Sequence, residues 1–261
     1  MPTLASLSLA EPLLWLLCLA SLLVGMSKGG LPGIGMLAVP ILSLMISPVI
    51  AAVLLLPIYI LSDAVGVWLY RHEYSLKNLQ ILIPAGIAGV LVGWATAAHV
   101  PDEMVSFLIG VLGVSFCLSR WLRRSATIVA RPVELPRGLF WGTLSGFTSF
   151  VSHAGAPPYQ IFMLPQQLPK MVFAGTTTIL FACINLAKVV PYSALHPYSG
   201  STLWLSAALL PIAAMGTIVG KSFIQKLPEK WFFLGVQIVL FLVSLKLVYD
   251  GLSVWLTPSA S

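Results

Sequence analysis

Lys28, Asp63, His153, Asn185 and Lys188 place charge or strong polarity inside long apolar runs. Ionisable groups at membrane depth are costly, so each is a candidate for function. Lys28 stands in "GMSKGGLPGIGMLAVPIL" (25–42), among glycines and prolines, and His153 in "SHAGAPP" (152–158). An ammonium there can contact an anion or form a fixed pair with Asp63, and the sequence leaves both open. His153 can donate to an anion, carry a proton near neutral pH, or bond a loop carbonyl. Ser27, Ser149 and Ser152 are compact hydroxyl donors suited to oxyanions, although such hydroxyls also bond their own helix. Gly29, Gly33 and Gly155 let a ligand come close to the backbone. Helices restarting near Gly33 and Pro157 would aim N-termini, with their free N–H groups, at such a ligand. Asn185 and Lys188 share a helix face at i, i+3. Asp63, Lys188 and His153 are therefore the candidates for charge pairing or ion coupling, with Asp63 neutralised by a lysine or itself accepting a proton. Thr176, Thr177 and Thr178 precede Asn185 by about two turns. Thr177 is the candidate substrate contact, set against ordinary helix–helix hydrogen bonding. His72, His99 and His196 fall at run ends and need no special role.

Membrane helices must position these groups. The chain is 58% hydrophobic and 8% charged, where a soluble domain is about a quarter charged. That charge cannot cover a soluble surface, so the class is polytopic membrane protein. The net charge of +6 is spread in short clusters between apolar runs. Such clusters mark cytoplasmic loops facing anionic lipid rather than a nucleic-acid surface. The N-terminal apolar stretch lacks a basic n-region, which argues against a cleaved signal peptide. Cys18, Cys117 and Cys183 lie in apolar runs without a CxxC pair and read as small buried hydrophobes. Runs 48–70, 79–98, 103–122, 169–192, 202–222 and 230–249 are long enough to cross a bilayer. Runs 12–25, 33–46, 138–151 and 157–165 reach only half to two-thirds of the way.

The sequence also repeats. "PAGIAGVLVG" (84–93) matches "PIAAMGTIVG" (211–220), and "HEYS" (72–75) echoes "HPYS" (196–199). Asp63 and Asn185 then occupy equivalent places, as do Ser27 and Ser149, and Gly33 and Gly155. Lys and Arg favour the cytoplasmic side. Arg71 and Lys77, the arginines of 120–137, and Lys221, Lys226 and Lys230 mark inside loops, whereas 99–102 and 193–201 carry neither residue. These signs agree if 12–46 and 138–165 are hairpins that enter and leave on one side; the rival, eight plain crossings with each of these one long broken helix, puts the Lys221–Lys230 loop outside. The expected fold is thus all-α and polytopic, with two inverted repeats, each a broken, re-entrant hairpin plus three transmembrane helices. The N-terminal repeat spans 1–125, a basic cytoplasmic linker 126–137, and the C-terminal repeat 138–261. Irregular backbone at membrane depth lines a cavity or is buried in protein.

No HExxH, GxSxG or P-loop pattern is present, nor a carboxylate pair placed for acid–base work. The reading is not an enzyme, with no cofactor, no metal and no ATPase domain. "GLPGIGMLAVPIL", "GFTSFVSHAGAPPYQIFML" and "AGTTTILFACIN" with Tyr192 downstream resemble the signature segments of the sulfite exporter TauE/SafE family over about 15–250. The second segment departs from the family's glycines at His153, Ala154 and Ala156, and Lys28 precedes the first glycines. The resemblance implies a secondary transporter, an exporter in the cell membrane, of sulfite, sulfoacetate or other organosulfonates. An anion channel or a permease for small carboxylates is the alternative. Partners are the small anion and the lipid bilayer, with no nucleic acid; proton or ion coupling and a homodimer stay open.

Overall fold

The computed structural model describes residues 11–31, 33–42, 45–46, 48–96, 102–122, 130–195 and 200–256. His99, Arg123, Arg124 and His196 fall outside these, as does the side chain of Ser152. The described chain is helical throughout. Its elements are α1 (Glu11–Lys28), a 3-10 turn (Ile34–Leu37), α2 (Ala38–Leu42), α3 (Pro48–Leu69), α4 (Leu76–Thr96) and α5 (Asp102–Leu122). There follow α6 (Leu135–Ser152), α7 (Ala156–Met163), a 3-10 turn (Leu164–Gln166), α8 (Lys170–Leu195), α9 (Gly200–Lys226) and α10 (Glu229–Leu256). Among the described residues, Leu76–Thr96, Lys170–Ala194, Leu203–Lys226 and Glu229–Leu252 are long and apolar enough to cross a membrane. This is an all-α multi-pass membrane protein. Pro57, Pro84, Pro191 and Pro211 sit inside helices, which membrane bundles tolerate because neighbouring groups satisfy the freed carbonyls.

The chain gathers into two compact units, one of residues 1–74 and 174–228, the other of 75–173 and 229–261. In the first, α1 packs along α9 and α3 packs on both. Leu13, Leu17, Val24, Leu54 and Leu55 form its core with Leu209 of α9. A Cβ on Gly25 would stand 2.0 Å from Ala213 O, so only glycine allows that crossing. In the second unit α4 packs along α6 and α5 along α10. There a Cβ on Gly146 would stand 1.9 Å from Gly86 O.

The first arms of the two broken segments are longer than their apolar runs imply. Each of α1 and α6 has 18 residues, or about 27 Å against a hydrocarbon thickness of about 30 Å. Met26–Lys28 continue α1, and Leu135–Arg137, from the polar linker, wind into α6. Pro136 helps there, since a proline in the first turn lacks only a donor the helix would leave unused. The second arms stay short, with five residues in α2 and eight in α7.

Candidate functional site: a buried charge cluster at a broken helix

Helix α1 ends in a Schellman motif. Gly30 takes φ 104°, its N–H bonds Ser27 O at 3.1 Å, and the Leu31 N–H reaches back to Met26 O at 3.2 Å. Only glycine adopts that φ without strain, and a Cβ here would also meet Tyr70 Oη at 2.5 Å. Carbonyls left over at the helix end are met by hydroxyls from elsewhere in the unit. Thr178 Oγ1 donates to Lys28 O at 3.0 Å and Tyr70 Oη to Gly29 O at 2.5 Å. Beyond the break, Tyr59 Oη donates to Gly35 O at 2.7 Å. Gly66 makes room for this joint, since a Cβ on it would lie 2.6 Å from Thr178 Cγ2.

Lys28 occupies the last turn of α1, where the helix dipole favours a cation. Its Nζ lies 2.7 Å from Asp63 Oδ1, and both side chains are buried. Asn185 Nδ2 donates to Asp63 Oδ2 at 2.7 Å. The Lys28 ammonium also stands 5.1 Å from the Tyr59 ring centroid and 5.9 Å from that of Phe181. Lys188 lies fully buried one turn past Asn185, within electrostatic reach of both Lys28 and Asp63. Among the described residues, Lys28, Asp63 and Lys188 are the buried side chains of Asp, Glu, Lys and Arg type, and all three belong to the first unit. The cluster therefore sets two lysines against one aspartate. At the edge of the same unit, Lys221 Nζ bonds Leu69 O at 2.5 Å and lies 3.4 Å from Glu73 Oε2.

The second break lies in the other unit. His153 takes a left-handed φ of 54° at the end of α6. Ser145 Oγ donates to Gly155 O at 2.7 Å and Thr148 Oγ1 to Ala154 O at 3.0 Å. The crown of free N–H groups expected near Pro157 is thin. Helix α7 begins at Ala156, and Pro157 and Pro158 fill its next two positions without donors. The restart after Gly33 is a 3-10 turn whose Ile34 and Met36 N–H groups bond Leu31 O and Gly33 O. Within the first unit, the buried lysines more than the helix restart supply positive character.

The residues singled out in sequence thus divide between the units. Ser27, Lys28, Gly29, Gly33, Asp63, Thr177, Asn185 and Lys188 fall in the first, and Ser149, His153 and Gly155 in the second. Within the first, Lys28, Asp63, Asn185 and Lys188 form one cluster. Ser27 is half-buried and packs against Gly35, and Thr177 is buried beside the Thr178 that caps Lys28 O. Tyr59, Gly66 and Tyr70 were not singled out, because an aromatic or a glycine in an apolar run carries no sign of a distant partner. Among the described residues, no group of three or more His, Cys, Asp or Glu stands close enough to hold a metal ion.

The family model "Sulfite exporter TauE/SafE" matches residues 17–247. The chain belongs to the sulfite exporter TauE/SafE family. It is thus a membrane transporter of the sulfite-exporter type. The TauE/SafE match takes in both breaks and every member of the buried charge cluster. Neither a curated protein nor a solved structure matches the chain.

Proposed function

We propose that this TauE/SafE protein is a secondary transporter in the cell membrane that carries sulfite, sulfoacetate or related organosulfonates by alternating access. The observation that carries the reading is the buried excess of positive charge, Lys28 and Lys188 against Asp63, beside a broken helix. Two buried lysines set against one aspartate are costly to hold charged, and a small anion relieves that cost. The break's carbonyls support the same sign of guest. Lys28 O, Gly29 O and Gly35 O already accept hydroxyl protons, so acceptors that could hold a cation are engaged. Ser27, Gly29, Gly33, Thr177 and Asn185 complete the proposed substrate contacts on this side. Ser152, His153 and Gly155 are the proposed contacts at the break within the second unit.

The transport cycle rests on inverted repeats. Packing inside each unit supports the duplication. Gly25 meets Ala213 O and Gly146 meets Gly86 O, and Ala213 and Gly86 hold the same place in the matched segments 211–220 and 84–93. Likewise Gly216 approaches Leu22 O and Gly89 approaches Thr143 O. This register sets Lys28, rather than Ser27, opposite Ser149.

Proteoliposome flux tests the reading. Labelled sulfite and sulfoacetate should enter saturably, compete with each other and pass no single-channel current. Replacing Lys28 with Arg should raise KM by about tenfold or more, because a guanidinium does not reproduce an ammonium's contacts. Unsaturable, ohmic flux would make the protein a channel; saturable flux of small carboxylates alone would make it a carboxylate permease.

A further inference from the structure

Where α3 and α9 end, the first unit holds a second lysine close to the break. Lys221 Nζ donates to Leu69 O at 2.5 Å and stands 4.7 Å from the Tyr70 ring centroid. Its side chain is 15% exposed, against 6% for Lys28. Glu73 faces it loosely. Glu73 Oε2 is buried and makes no hydrogen bond, and Lys221 Nζ lies 3.4 Å from it. Tyr70 ties this corner to the break, since its hydroxyl donates to Gly29 O. Helix α9 presses on the same glycine, where a Cβ would stand 2.9 Å from Lys221 N. Lys28 and Lys221 therefore flank one joint. The α3 groups they bond, Asp63 Oδ1 and Leu69 O, lie about 9 Å apart along the helix axis. We propose that Lys221 is a second anion site, a loading station that meets the substrate before Lys28 does, and that the Glu73 carboxylate is its built-in competitor. The inference rests on the anion reading above and adds an entry site to it.

A carboxylate and a sulfonate offer an ammonium the same feature, several oxygens sharing negative charge. A carboxylate in good hydrogen-bond geometry would be hard to displace. Glu73, at 3.4 Å and without that geometry, is a weak rival. The exchange leaves no charge stranded. An incoming anion takes the place of Glu73 at Lys221, which keeps its bond to Leu69 O. The Glu73 side chain is 36% exposed and turns to water. Asp63 is a different case, because Lys28 and Asn185 hold its two oxygens at 2.7 Å each. Arg71 and Lys226 are exposed at the same end of the unit and draw anions towards it. This is the end that the loop charges mark as cytoplasmic.

Uptake of labelled sulfite and sulfoacetate into inside-out membrane vesicles tests this, because such vesicles turn the cytoplasmic face to the medium. Glu73→Gln keeps the shape of the side chain and removes the competitor, so KM should fall about two- to fivefold while the maximal rate holds. Lys221→Gln should raise KM by at least as much. The double variant should match Lys221→Gln, since a competitor matters only while its lysine is present. Lys226→Gln removes the same charge from the same end and should leave KM where it was. A KM unchanged or raised by Glu73→Gln overturns the inference and leaves Lys221 and Glu73 a structural pair. An effect of Lys226→Gln equal to that of Lys221→Gln also overturns it, and assigns the change to net charge. Both results leave the anion reading standing. Wild-type vesicles that take up neither anion beyond vesicles lacking the protein overturn both. Glu73→Gln decides the matter even if Lys221→Gln does not fold.

Discussion

Lys28 Nζ meets Asp63 Oδ1 at 2.7 Å, while the other carboxylate oxygen is held at the same distance by Asn185. The two partners come from α1 and α3, and both are buried. Their removal should not be symmetrical. Asp63→Asn leaves two buried lysines without a carboxylate and should cost about 3–5 kcal/mol. Lys28→Met leaves Asp63 with Lys188 and should cost less. The double variant should recover part of the loss, giving a coupling well above 0.5 kcal/mol in a mutant cycle. Unfolding in mixed micelles measures all three; equal, additive costs would show that Lys188 takes no part in the cluster.

Glycines at the two tight crossings should be intolerant in the same way. Gly25→Ala and Gly146→Ala each drive a methyl into a backbone carbonyl, at Ala213 and Gly86. Each should lose about 1–3 kcal/mol, the usual cost of overpacking. Gly235 on α10 has nothing within 4 Å of a Cβ. Gly235→Ala should therefore be neutral or gain up to about 1 kcal/mol from helix propensity. Thermal unfolding in detergent separates these outcomes, and a destabilised Gly235→Ala would contradict the packing described.

His153 holds a backbone conformation that glycine adopts freely, with φ 54°. Relieving the strain with His153→Gly should stabilise the fold by about 1 kcal/mol, less whatever the imidazole's own contacts contribute. If the side chain serves the anion, the same change should raise KM in the flux assay. A stabilised variant with unchanged KM would remove His153 from the proposed site.

Membrane orientation is open to direct chemical test. With Cys18, Cys117 and Cys183 replaced, single cysteines at Lys77, Arg137 and Lys226 should all resist an impermeant maleimide in intact cells and react after lysis. Labelling at Lys226 from outside would end the inverted arrangement, because that arrangement puts all three positions on the cytoplasmic side.

Much of this was readable in the chain because apolar runs and helix breakers act locally. Gly30, Gly33 and the pair Pro157–Pro158 announce where helices stop and restart, and the breaks fall there. Asp63 could be named as a partner for Lys28 because few charges share the apolar interior. The sequence could not choose between that pair and an anion, since the choice depends on how α1 and α3 approach. Tyr59 and Tyr70 were illegible for the same reason, as each acts on a carbonyl far away in sequence. Helices α1 and α6 run past their apolar runs because Ser27–Lys28 and Pro136–Arg137 are helical without being apolar.

The hydroxyls that close off the first break have a mechanical effect as well as an electrostatic one. Tyr59 and Tyr70, from the start of α3's second half and the turn after it, and Thr178 from α8 stitch that break to two other helices. The ion pair adds a further stitch to α3. A loop fastened at so many points does not flap like a hinged door. Any displacement of Lys28 must drag α3 and α8 with it, so the charge rides on a stiff frame and keeps its geometry while the frame moves.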